Sequence, residues 1–193
     1  MDFFYYGDIL LTTLLSLLTA LPSMLLGIAS WVLSAVAIYV IARRRGLTKP
    51  WLAWVPVVNV WLLGSLSDQY QYVVKRKNTS RRKWLLALNL VKPVLGALVT
   101  GFGIAAFAPG AYYGVDWQAA MVAVGFALPM AVAAVAAAVI RYIALYDLYR
   151  SLDPANAVLF LVLSILFNIT EPFFLFFNRD KDAGMPPRRE TCE

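Results

Sequence analysis

Arg43-Arg44-Arg45-Gly46-Leu47-Thr48-Lys49-Pro50-Trp51-Leu52-Ala53-Trp54-Val55-Pro56 is where this chain changes character. The run before it, Ile9 to Ala42, carries no charge, and as one helix it would measure about 50 Å. Three arginines at the end of such a run mark a cytoplasmic helix end by the positive-inside rule. Two further uncharged runs, Pro93 to Val115 and Trp117 to Ile140, also exceed the ~20 residues that cross a bilayer core as helix. With 61% hydrophobic and only 15% charged residues, too little charge remains to cover a soluble surface. The fold class is therefore all-α: one polytopic helical membrane domain over residues 1–193 with three firm transmembrane helices.

Pro22 divides the first run. Residues 9–21 read as an interfacial or kinked helix and 22–42 as the first span, since proline is tolerated in a first turn. Segment 51–66 is apolar but short, and bases flank it on both sides, so the flanks share one face of the membrane. It is expected to be interfacial or re-entrant, with Trp51, Trp54 and Trp61 as headgroup anchors. A basic cytoplasmic loop follows at 67–83. The second span is expected at 84–107 and the third at 118–141, where Ala119, Ala123, Ala127 and Ala131 recur every four residues and permit close helix contact. Pro109 to Trp117 forms an outer loop without a base. Residues 155–177 are long enough to span, but Asn168, Thr170, Glu171 and Pro172 interrupt them. Four full spans would place the polar tail, 178–193, outside together with Arg179, Lys181, Arg188 and Arg189. A re-entrant last segment would return it to the cytoplasm, and this is narrowly favoured. The N-terminus has two acids and no base among its first eight residues, so it is expected outside and uncleaved.

Polar groups inside apolar runs are the candidate sites, because burying them in lipid is costly. They are Glu171, Asn168, Lys92 and Asn89. In a fully spanning last helix Glu171 and Arg141 would lie near opposite faces, so contact between them would imply re-entrance. Arg43, Arg44, Arg45, Lys75, Arg76, Lys77, Arg81, Arg82 and Lys83 form a basic cytoplasmic face. With the net charge of +6, this face suits anionic lipid headgroups, and no nucleic-acid partner is expected. There is no histidine and a single cysteine, Cys192, so no metal or cofactor is expected. Serine-hydrolase, zincin, P-loop and dinucleotide patterns are absent, and no catalytic residue stands out.

The segment Lys49-Pro50-Trp51-Leu52-Ala53-Trp54-Val55-Pro56-Val57-Val58-Asn59-Val60-Trp61-Leu62-Leu63-Gly64 and the ending Gly184-Met185-Pro186-Pro187-Arg188 resemble those of small integral membrane proteins from clostridia-like bacteria. The resemblance implies a bacterial plasma-membrane location and no activity or site residue. The expected role is a membrane-embedded accessory or interaction protein, with a membrane partner or a second copy. The alternative is a small transporter or channel subunit. A polar cavity reaching Glu171 would favour transport, and a solid alanine-packed core with an exposed apolar groove would favour partner binding.

Overall fold

A computed structural model describes the backbone of residues 2–107 and 116–186 and the side chains of 11–106 and 116–186. The side chains of Phe3 to Tyr6, the outer loop 108–115, and Cys192 with Arg188 and Arg189 lie outside the described residues. The protein is all-α: α1 (Asp2–Arg44), a 3-10 turn (Pro50–Trp54), α2 (Asn59–Lys75), α3 (Arg81–Phe107), α4 (Trp117–Leu152), α5 (Ala157–Leu166) and α6 (Thr170–Asn178). Three stretches are long and apolar enough to cross a membrane: Leu11–Arg44, Arg81–Ala106 and Trp117–Leu152. Their large side chains point outward. Leu18, Val132 and Met121 are all more than half exposed, a surface suited to lipid and not to water. The arrangement is that of a membrane-associated helical protein.

α1 does not divide at Pro22. It runs unbroken for 43 residues with Pro22 inside it, and nearby hydroxyls turn back onto the preceding helical turn: Thr19 Oγ1 donates to Leu15 O and Ser23 Oγ to Ala20 O. The missing N–H of Pro22 costs the helix its bond to Leu18 O, and the rest of the ladder continues past it. Gly46 stops the helix. At φ 71° it is left-handed, a conformation that suits glycine, and Leu47 N then caps Ala42 O at 3.0 Å.

The chain next makes the 3-10 turn, which packs on α1. α2 extends to Lys75, so residues 67–75, expected as loop, are helical. Two of their polar side chains, Ser67 and Gln71, are buried. Arg76 ends α2 at φ 56°, with Lys77 N donating to Gln71 O at 3.0 Å.

Asp68 holds the start of α3. Its carboxylate accepts from Thr79 Oγ1 (2.6 Å), Arg81 N (3.1 Å) and Arg82 N (3.3 Å). α3 and α4 then form an extensively packed pair, with Phe102 stacked on Phe126. Asp116 caps α4 through Gln118 N and Ala119 N. α4 continues to Leu152, eleven residues past the expected end at 141, because Leu145, Leu148, Tyr149 and Leu152 enter the common core with Ile41, Leu62, Leu66 and Leu175.

The last hydrophobic segment is two short helices broken at residues 167–169. Thr170 Oγ1 bonds Leu163 O and Phe167 O there (3.1 and 2.7 Å). The tail then docks on the end of α4, with Ala183 N on Leu152 O and Gly184 N on Ser151 O. A β-carbon at Gly184 would collide with the Arg150 carbonyl.

Candidate functional site

A half-open cavity of about 770 Å³ lies between α1, α2, α3, α4 and the α5–α6 break. Glu171, Asn168, Lys92 and Asn89 all line it, joined by Ser30, Ser34, Trp31, Asn59, Arg141 and Tyr142. Four polar candidates separated by up to 82 positions therefore share one space.

Helix geometry accounts for the convergence. Arg81 and Asp147 are partners at one end of the α3–α4 pair. Lys92 lies about 16 Å along α3 from Arg81, and Arg141 about 9 Å along α4 from Asp147. The small residues Ala134, Ala137 and Ala138 leave room beside Arg141. On α1, Ser23, Gly27, Ser30 and Ser34 follow the 4-3-4 spacing of one helix face and form the opposite wall.

Glu171 is only 5% exposed and meets Arg141. The pair is not a fork: Arg141 Nη2 alone donates to both carboxylate oxygens, at 2.8 and 2.9 Å. Arg141 Nε and Nη1 make no hydrogen bond among the described residues. Lys92 makes no ion pair among the described residues, and Trp31 Nε1 is buried without an acceptor. Asn89 Nδ2 is used on Leu85 O at 2.8 Å. Lys92 and Arg141 against Glu171 leave the cavity one positive charge.

The basic face is less uniform than its sequence suggests. Arg43 and Arg44 are exposed, whereas Arg45 is buried and donates to Asp182 Oδ1 (2.7 Å) and Ser151 Oγ (2.8 Å). Burial pulls the Arg45 guanidinium below its usual pKa, and the Asp182 hydrogen bond pulls it back up. Arg43, Arg44 and Arg45 also line a second cavity of about 760 Å³ with Asp182, Met185 and Pro186. Lys75 and Arg81 turn inward to Asp147, while Arg76, Lys77, Arg82 and Lys83 are exposed. Trp51 and Trp54 are exposed, and Trp54 meets Trp31 edge-on at 6.2 Å. Trp61 instead packs on the core.

Asp147 was not singled out from sequence. It is the sole acid in α4, and a lone acid in an apolar helix could have marked it. Its partners Ser67, Gln71, Lys75 and Arg81 lie 66–80 positions away. Among the described residues no group of three or more histidines, cysteines and acids gathers to hold a metal. No protein-family model matches the chain, and no curated protein or solved structure matches it either.

Proposed function

We propose that this chain is a small transporter, or the ligand-binding subunit of one, in a bacterial plasma membrane. The observation that carries this reading is the cavity gathering Lys92, Arg141, Glu171, Asn59 and Asn168 beside a broken helix. Broken helices beside polar groups at bilayer depth are where membrane carriers hold their ligands. The unspent Nε–H and Nη1–H groups of Arg141 let a ligand accept a hydrogen bond without first breaking the Glu171 pair. Movement of α6 would then couple ligand to Glu171. An interaction subunit is the second reading. It is favoured by the N-terminal half of α1, whose residues 11–29 are exposed on every side.

The topology proposed with it has the N-terminus outside, three spans, and α5–α6 re-entrant from the cytoplasmic face. Contact between Arg141 and Glu171 supports this, as does the return of the chain to the basic face, where Arg44 Nη1 donates to Arg179 O at 2.9 Å. Native Cys192 should then react with an impermeant maleimide only after permeabilisation, and reaction in intact cells would overturn the re-entrant hairpin.

Single cysteines at Ser34 and Ala138, in a Cys192→Ser background, test the cavity without knowledge of the substrate. Both should react with an impermeant maleimide from one side of the membrane, while Leu18→Cys on the lipid-facing surface does not. Silence at both sites from both sides would remove the water-accessible site and leave the interaction reading.

A further inference from the structure

The chemistry of the cavity specifies what enters it, and this inference rests on the cavity being a ligand site. We infer that it binds an anionic amphiphile, a molecule with a phosphate- or carboxylate-bearing head and an acyl chain, admitted sideways from the bilayer between α1 and α4.

The head is argued from charge and donors. The cavity holds two cations and one anion. Glu171 is already occupied by Arg141 Nη2, so the unspent capacity is positive: Lys92 Nζ and the separate Nε–H and Nη1–H donors of Arg141. Each is a charged donor, the kind that binds a carboxylate or phosphate most strongly. A cation would meet no free carboxylate here. A neutral ligand would leave Lys92 uncompensated in a space walled by apolar helices.

The acyl chain is argued from the mouth. Ser23, Leu26 and Gly27 on α1 and Ala134 and Ala138 on α4 line the cavity and also reach the outer surface, Leu26 at 55% exposure. Both sets lie within the apolar stretches Leu11–Arg44 and Trp117–Leu152. An opening between two such stretches faces lipid tails. Apart from Leu26 these residues are small, and all are uncharged, so the mouth suits an acyl chain better than a charged headgroup. The volume of about 770 Å³ lies within the range of small-molecule sites.

The test is native mass spectrometry of the full chain in detergent, titrated with lysophosphatidylglycerol, with lysophosphatidylcholine of the same chain length, and with inorganic phosphate. One lysophosphatidylglycerol should be retained saturably, at least about tenfold more tightly than the zwitterionic lipid, the effect of one charge-assisted contact. Inorganic phosphate should not compete. Lys92→Gln should lose about tenfold in affinity, Ala138→Phe should weaken binding by obstructing the mouth, and Arg43→Gln on the basic face should leave it unchanged.

Equal retention of the two lipids would overturn the anionic head, and competition by phosphate would overturn the amphiphile. A loss in Arg43→Gln without one in Lys92→Gln would move the site to the headgroup belt. The wild-type comparisons stand even if a variant fails to fold. Binding at equilibrium requires no water access. Failure here with reactive Ser34→Cys therefore refutes only the ligand class, whereas retention with unreactive cysteines refutes transport and leaves a static lipid site.

Discussion

Asp147→Ala should destabilise the protein by about 3 kcal/mol, the lower end of the range for breaking a buried ion pair. Asp147 is 1% exposed, and its two oxygens collect four donors. Gln71 Nε2 approaches Oδ2 at 2.7 Å, Ser67 Oγ at 3.1 Å, and Arg81 Nη1 reaches the same oxygen; Lys75 Nζ lies 3.3 Å from Oδ1. Three donors come from α2 and one from the first residue of α3, so a single carboxylate fastens both to α4. Removing it strands the Gln71 amide in the interior, whereas Arg81 and Lys75 are partly exposed and can turn to water. That asymmetry keeps the effect at the lower end. Asp147→Asn retains an acceptor for Gln71 or Ser67 and should cost about half as much. Denaturant unfolding in detergent micelles, followed by helical circular dichroism, measures both. A loss below about 1 kcal/mol for the alanine variant would mean that the network contributes no more than a typical single hydrogen bond.

Gly64→Val should destabilise by a similar amount, about 3 kcal/mol, the upper end of ordinary overpacking. A β-carbon at Gly64 would stand 2.6 Å from Arg82 Cα and 2.9 Å from its backbone nitrogen. Neither is the movable end of a side chain. The start of α3 cannot readily yield, because Asp68 holds the backbone nitrogens of Arg81 and Arg82 and the Thr79 hydroxyl. Relief therefore requires α2 and α3 to separate by roughly 1 Å, a dense interior resisting even one added methylene. The separation would also pull Arg81 from Asp147. The double variant with Asp147→Ala should accordingly lose less than the sum of the singles, as expected for residues sharing one junction. Strict additivity in the cycle would show that the two sites do not communicate.

The helical membrane-like class was legible because uncharged runs of this length have few other uses. The end of α1 was legible too, in the change from Ile41-Ala42 to three arginines. Polar residues set in apolar runs drew attention to Glu171, Asn168, Lys92 and Asn89 before their shared cavity was visible. α2 was harder. Ser67, Gln71 and Lys75 look like loop residues by composition, and only a partner 76–80 positions later makes Ser67 and Gln71 interior. The 34-residue apolar stretch of α1 exceeds one bilayer thickness, so dividing it at Pro22 was reasonable. That this proline costs the helix one bond without ending it leaves no mark in the hydrophobic pattern. Whether Arg141 would meet Glu171 depended on the path of the last segment, which charge counting leaves nearly balanced.

The broken final segment also bears on how the protein is made. On the proposed topology Arg141 leaves the ribosome 30 residues ahead of Glu171, and α4 enters the bilayer with that arginine still unmatched. A long arginine stem can hold its charge toward the headgroups during the wait. α5, ten residues long, is only about 15 Å in length and cannot anchor itself across the membrane. On the proposed topology it is inserted from the side on which it was synthesised, after the three long helices provide a wall to lean on. The hairpin then brings Glu171 to an arginine already in place. Synthesis thus delivers the cation first and the acid last, so the buried carboxylate never has to enter the membrane without its partner.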